Sequence, residues 1–502
     1  MEQSRGEQRI IVVGGGITGL AAANRLMERR HTERLSFEVL LLEAGPRLGG
    51  VISTARRDGF ILESGPDAFI TNKPWALNLV KRLGLGEQLI GTTEGHRRTF
   101  VVRRGTLHPL PEGFLLLAPT RIWPFLQSDL MSWRGKARTA LDLLLPRGRP
   151  VADESLASFV RRRFGREALD WLAQPMVGGI YTADPERLSL MATMPQFLEM
   201  ERRDRSIIRG MRRQQSKAPL DREAGSGARY SLFATLEEGL QALVDALARR
   251  LPDGAVRLRC PVAGIARKEE RWALRLGDGT SLKADGVILG IPAFQAAALM
   301  RDLDGGLARE LEAIPYASSL TVNLAYRREQ IPHPLDGFGF VVPACEGRAM
   351  IACSFSSVKF ANRAPAGHVL LRAFAGGALQ PEPFAWDDRT LLAAVCRDLT
   401  DLLGIQAAPL WSHVARHPRS MPQYHVGHLA RVAALEQGLA RWPTLKLAGN
   451  AFRGIGIPDS IHSAETAADA LLNDLASAQM GGAAEAALNP STRSCAERES
   501  LL

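Results

Sequence analysis

Four consecutive β-branched residues, Ile10 to Val13, run without a polar interruption into "GGGITGL" and then an Ala/Leu-rich stretch ending near Arg30. An unbroken apolar run of this kind predicts a strand buried on both faces, followed directly by a helix. "FEVLLLE", Phe37 to Glu43, predicts a second such strand. Leu236, Leu240, Leu243, Val244, Leu247 and Leu251 share one helical face, which predicts a helix over Leu236–Leu251. The segment after it reads as strand, strand, Asp-Gly turn, strand, and "GVILGIPAF" as a returning buried strand. Residues 301–435 change period: "LTVNLAY", "GFGFVVP", "AMIACSFS" and "HVLLRAFAGG" alternate, predicting an antiparallel sheet with one face free to wall a ligand pocket. Near the end, Leu445, Leu447 and Ala448 predict another strand, glycines follow at Gly449, Gly454 and Gly456, and a helix is expected after Pro458, from about Ser463.

Between Glu94 and Met200 the pattern is mixed, then mostly helical. Leu115 to Leu117, Ile122, Trp123, Phe125 and Leu126 lie close to Arg121, Arg134, Lys136 and Arg138, a mixture that suits a membrane interface or a subdomain core equally. Arg202 to Arg229 is basic, contains "EAGSG" and reads as a loop. The Ala/Ser/Gly-rich tail from about Gln479 reads as disordered.

The first glycine device carries chemistry. Gly14, Gly16 and Gly19 have GxGxxG spacing between a strand and a helix. Gly14 permits the tight turn, Gly16 lets backbone approach a pyrophosphate, and Gly19 lets the helix pack on the strand. The helix start, Ile17 and Thr18, presents unpaired N–H groups to phosphate. Glu43 stands where an acid would accept ribose hydroxyls, with Ala44 beside it. "AGPRLGG" follows, and Arg47, Gly49 and Gly50 match a second signature found in FAD proteins, so FAD is favoured over NAD. In flavoproteins of this type the C-terminal glycine loop returns to the first domain. Gly454, Ile455, Gly456 and Ile457 would then pass the flavin ring, with Gly449 also at the cofactor, and the helix end would favour the anionic reduced form. A backbone contact to adenine is expected near Val262.

Composition narrows the reading. The chain has 502 residues, 46% hydrophobic, enough for two or three globular domains. The longest mostly apolar run holds Pro292 and is too short to span a membrane, and "MEQSRGEQRI" lacks a secretory apolar core. Five scattered cysteines without a CxxC give no disulfide framework and no metal site, which fits a reducing cytosol. The net charge of +10 suits an anionic partner, or simply an arginine-rich composition.

"ESGPDAFITNKP", "GTLHPLPEG", "GGIYTADPERLSL", "FSSVKFANRAPAGHVLLRAFAGGA", "MPQYHVGH" and "GIGIPDSIHS" together resemble the HemY-type protoporphyrinogen/coproporphyrinogen oxidases of the amine-oxidase-like flavoproteins, from about Arg9 to Leu472. The resemblance implies an α/β (α+β overall) architecture: a discontinuous Rossmann-like FAD domain (1–75, 228–300, 436–477), an antiparallel-sheet substrate domain (76–93, 200–227, 301–435), a helical membrane-facing subdomain (94–199) and the tail (478–502). It implies non-covalent FAD and the oxidation of a porphyrinogen to a porphyrin in haem biosynthesis, with dioxygen as acceptor and hydrogen peroxide as product. Protoporphyrinogen IX is the favoured substrate and coproporphyrinogen III the alternative. By motif position, Gly179 falls beside the reacting methylene, and Val341 and Phe360 fall on the pocket wall. Plant and animal members place a propionate-binding arginine where Thr99 stands; here Arg97 and Arg98 occur instead, and either reaches a propionate or both face solvent. Glu63 borders the flavin or makes a structural hydrogen bond, and no acid–base residue is identified. Expected partners are the porphyrinogen, dioxygen, the cytoplasmic face of the inner membrane, ferrochelatase and a second copy, but no nucleic acid. An FAD amine oxidase, a carotenoid desaturase and a silent FAD-fold scaffold share the cofactor motifs and stay open.

Overall fold

The structure, a computed structural model, describes residues 8–94, 98–115, 118–119, 121–148, 152–217 and 232–488. Its first sheet is parallel and has five strands, in the order Val256–Arg257, Phe37–Leu42, Gln8–Val13, Gly286–Leu289, Leu445–Leu447. The unbroken apolar runs sit here because both faces are covered. Ile10, Ile11 and Val12 are fully buried, one side under the first helix (Ile17–Glu33) and the last helix (Ile457–Leu488). The strand at 445–447 closes the sheet next to 286–289, so the two ends of the chain share one sheet.

The second sheet has seven strands, in the order Trp411–Pro422, Tyr316–Arg327, His368–Gly376, Met350–Phe355, Gly339–Val341, Thr99–Arg103, Thr106–Pro109. It is antiparallel except where 339–341 runs parallel to 99–101. One face packs Leu320, Val322, Phe340, Phe355 and Leu371 against the helix Asp388–Leu403. The period of two turns Thr321, Asn323, Val341, Ser354, Arg372 and Phe374 to the other face. Thr99–Pro109, expected in the helical segment, are strands of this sheet because Phe100 and Val102 join its apolar side.

A third core gathers the helices between Ile122 and Lys217 around Phe159, Phe164 and Leu172. Inside it the guanidinium of Arg163, 1% exposed, pairs with the fully buried Asp142 and also reaches Glu201. Removing one member would strand a buried charge.

Four expectations are corrected. Arg202–Lys217 is not loop: the helices Pro195–Asp204 and Ile207–Lys217 occupy it, with Ile207, Ile208 and Met211 buried. "EAGSG" lies outside the described residues. The tail is helical to Leu488 rather than disordered from 478, and residues 489–502 lie outside the described residues. The last helix begins at Ile457, with Pro458 in its first turn, where proline's missing N–H costs no hydrogen bond. The Leu236–Leu251 stretch is helical only over Gln241–Arg249. Leu236 ends a strand, yet all six of its apolar residues reach the same core.

Candidate active site

The two N-terminal glycine loops touch. Gly14 has φ +105°, and its N–H donates to the Leu42 carbonyl at 2.8 Å. A methyl group on Gly14 would lie 2.7 Å from Ile291, and one on Gly19 would lie 1.8 Å from the Gly14 carbonyl oxygen. Gly16 pairs with Gly49, the Gly49 N–H donates to the Gly15 carbonyl at 2.8 Å, and a side chain on Gly50 would meet Gly16 Cα at 3.2 Å. Arg47 folds back on its own loop, donating to the carbonyls of Leu48, Gly50 and Ile52. It stiffens the loop.

The first helix opens at the Gly16 N-cap with no side-chain cap and no acid in its first turn. Ile17 and Thr18 therefore begin a helix whose leading N–H groups lack protein acceptors, a ready anion site of 17 helical residues. Both Glu43 carboxylate oxygens accept backbone N–H groups at 2.6 Å, one from Gly15 and one from Gly45. Each oxygen keeps a lone pair for a hydroxyl. Ala44 is exposed next to it. The Glu43 carbonyl takes the Cys260 N–H at 2.8 Å, which brings the strand starting at Val262 alongside the acid.

The C-terminal loop does return. A Cβ on Gly449 (φ +131°) would lie 3.6 Å from Thr18 Oγ1, and its N–H donates to Ser463 Oγ at 3.1 Å. Gly454 (φ +145°) and Gly456 press on Asp459, leaving no room for a Cβ at Gly454. Ile457 begins the helix and is 8% exposed. Asp459 stands in the first turn and pairs with Lys73 at 2.6 Å, so the positive helix end expected here carries its own carboxylate.

On the substrate side, Gly179 lies in the last turn of the helix Gln174–Tyr181, and a Cβ there would meet Val341 Cγ1 at 3.7 Å. Val341 and Ile455 pack on the same helical core, so Gly179, Val341 and the flavin-type loop converge. Phe360 does not join them. Its ring is 1% exposed beneath the cations of Lys359 and Arg363, which corrects its assignment to the pocket wall. Phe374 is the aromatic on the Val341 face: half-buried, with the Arg372 guanidinium 4.7 Å from its ring. Its place in "LLRAFAG", out of phase with Leu371 and Ala373, is the signal that could have found it. Arg97 lies outside the described residues. Arg98 is 67% exposed and paired with Asp336 at 3.1 Å.

The "ESGPD" turn is cradled by the polar side of the second sheet. Asn323 Nδ2 donates to the Glu63 carbonyl at 3.1 Å and Thr321 Oγ1 to the Ser64 carbonyl at 2.7 Å, while Arg372 donates to that of Gly65. Glu63 itself is 4% exposed and accepts from Thr54 Oγ1 and the Leu240 N–H. Burial pushes its carboxyl up to about 7 despite these bonds and the nearby Arg363 and Arg372. Glu63 ties the turn to the start of the helix Gln241–Arg249. Burial pushes the Asp67 carboxyl up too, but Lys359 at 3.0 Å and Arg372 outweigh it and hold the group down to about 2.

The glycine cradle, the uncapped helix start and the acid at the second strand fit a bound FAD. The pyrophosphate would lie on Gly14–Gly19 and Gly49–Gly50, the ribose by Glu43. Such a site on such a fold defines an FAD-dependent oxidoreductase. Residues 17–472 match the family of flavin containing amine oxidoreductases. The coproporphyrinogen III oxidase of Bacillus subtilis (strain 168) is 37% identical over 475 residues, 93% of this chain and 99% of that protein. The chloroplastic protoporphyrinogen oxidase of Oryza sativa subsp. japonica is 32% identical, covering 90% and 86%. A crystal structure from Exiguobacterium sp. 255-15 superposes with a TM-score of 0.82 at 34% identity, covering 92% and 98%. The chain belongs to the flavin containing amine oxidoreductases and, within them, to the HemY-type porphyrinogen oxidases.

Proposed function

We propose that this chain oxidises coproporphyrinogen III to coproporphyrin III, with dioxygen as the electron acceptor and hydrogen peroxide as the product. The sequence alone favours protoporphyrinogen IX. The 37% identity to coproporphyrinogen III oxidases from two bacteria, beside 31% to a third and 32% to the rice protoporphyrinogen oxidase, supports coproporphyrinogen III instead. Protoporphyrinogen IX is the second reading.

Bound FAD, held without a covalent link, accepts hydride equivalents. The observation that carries the reading is the face shared by Val341 and Phe374 opposite Gly179, which has no side chain. The reading requires this helix and this face, which lie in near contact at Gly179 and Val341, to part around a wide, largely apolar macrocycle. In this reading Gly179 leaves the side facing Val341 free of a side chain and Phe374 offers a ring to the macrocycle. The exposed Arg98, paired here with Asp336, is the described cation proposed to meet an acidic side chain of the substrate. Both porphyrinogens, prepared anaerobically and offered separately on admission of oxygen, test the choice by porphyrin fluorescence. Faster coproporphyrin formation is expected, and faster protoporphyrin formation would return the second reading.

Peripheral attachment to anionic membrane belongs to the same proposal. No helix among the described residues is long and apolar enough to cross a membrane. Trp123 and Trp133 are 70% and 72% exposed, with Ile122, Leu141 and Leu144 also exposed nearby in the chain. Leu116 and Leu117 lie outside the described residues. Lys136 and Arg138 are not part of such a surface: Lys136 is 6% exposed and donates to the Leu126 carbonyl, and Arg138 donates to the carbonyls of Arg161, Arg162 and Arg163.

A further inference from the structure

The segment Gln423–His428 bonds to both the C-terminal glycine loop and the helix that bears Gly179. The Tyr424 hydroxyl donates to the Asn450 carbonyl at 2.6 Å and accepts the Gly454 N–H at 2.8 Å, so one oxygen closes the loop between them. Tyr424 is 1% exposed, and the His428 ring stacks on it at 3.9 Å and 10°. His428 Nε2 lies 2.8 Å from the Phe452 carbonyl oxygen, inside the same loop. A carbonyl only accepts, so Nε2 carries the hydrogen. Burial lowers the pKa of His428, consistent with a neutral ring. Gln423 Nε2 donates to the Tyr181 carbonyl at 3.2 Å, at the end of the helix that bears Gly179. The Tyr424 carbonyl accepts the Ser189 N–H at 2.7 Å.

We propose that Gln423, Tyr424 and His428 form a clamp that fixes the flavin-facing loop, Asn450–Gly454, relative to the Gly179 helix, with the Tyr424 hydroxyl as its central atom. These are positioning residues, acting through the loop backbone. The proposal rests on the flavin reading of the site but not on the identity of the substrate. Arg453 ties the loop to Glu436 and Ala451 packs in the core, but Gly454 and Gly456 have no side chains, so the stretch nearest the flavin is fixed through its backbone. Hydride transfer is steep in distance and alignment, and a small misplacement of a reacting group lowers its rate by about a hundredfold. Tying both partners to one short segment is a direct way to hold that alignment.

The test uses the holoenzyme. Tyr424→Phe keeps the stack on His428 and removes both hydroxyl bonds. Its flavin midpoint potential should shift, because the loop backbone that passes the flavin loses both of its ties to this hydroxyl. Its anaerobic reduction by a porphyrinogen should slow roughly tenfold to a hundredfold, with half-saturation unchanged. The potential and the visible flavin spectrum need no substrate, so failure of the porphyrinogen reading leaves this test standing. A variant that melts lower but keeps the wild-type potential and reduction rate overturns the clamp. Where Tyr424→Phe does not fold, His428→Ala and His428→Gln decide. Glutamine restores an N–H to the Phe452 carbonyl and should recover the potential that alanine loses, whereas equal potentials in the two variants overturn the proposal.

Discussion

Glu63 illustrates how a single buried acid ties pH to stability. Its folded pKa is about 7 against an ordinary value of 4.5. A carboxyl raised in the folded state contributes stability that is full below about 4.5 and is lost as pH rises through about 7. The span corresponds to a loss on the order of 3 kcal/mol. Glu63→Gln keeps an acceptor for the Leu240 N–H and removes the titration. Urea midpoints at about pH 5 and about pH 8 should therefore differ less in the variant than in the wild type; an equal difference in both would place the titration elsewhere. Gly179→Leu should block porphyrinogen oxidation while FAD stays bound, because the cofactor glycines lie in other loops. Loss of flavin from that variant would show that the helix end supports the cofactor too. Phe374→Ala should weaken turnover with little loss of stability, and Phe360→Ala should do the reverse, costing about 3–5 kcal/mol. Thermal melts beside kinetics separate the two. The motif leads to Phe360, which is buried, because a motif locates a residue along the chain, whereas the direction of its side chain depends on strand phase and on what covers it.

At the scale of elements, the glycine devices are readable because each glycine answers a local constraint. Gly14, Gly16, Gly19 and Gly449 sit where a Cβ would strain the backbone or fill the cradle. Arg202–Lys217 misleads since charge dominates its composition, although Ile207, Ile208 and Met211 already space a helical stripe. The alanine-rich end of the last helix misleads for a related reason: alanine is the strongest helix former, even where it buries little. Leu471, Leu472 and Leu475 are buried on that helix. Truncation after Ser477 should leave flavin content unchanged, while truncation before Leu471 should abolish it. Absorbance of the purified proteins reads the outcome, and loss of flavin from the longer of the two truncated chains would assign the remaining turns a role in the core.

The whole molecule joins two sheets and a helical core around one place, and only long-range pairing shows this. No local pattern tells that Thr99–Arg103 lies parallel to Gly339–Val341, or that residues 445–447 pair beside 286–289. Exposed Trp123 and Trp133 lie in the helical part, well separated in sequence from the cofactor motifs. Replacing both with serine should reduce binding to vesicles of anionic lipid without changing turnover in solution, since interfacial binding scales with buried apolar area. Unchanged sedimentation with vesicles would remove the membrane proposal. The central claim is that a porphyrinogen gives its electrons to the FAD held between the two ends of this chain. Mixing oxidised holoenzyme with coproporphyrinogen III under strict anaerobiosis, while following the flavin absorbance, tests it most directly. The account predicts rapid bleaching of the oxidised flavin and recovery of its colour when oxygen enters; flavin that stays oxidised with both porphyrinogens, yet bleaches with an amine, would contradict it.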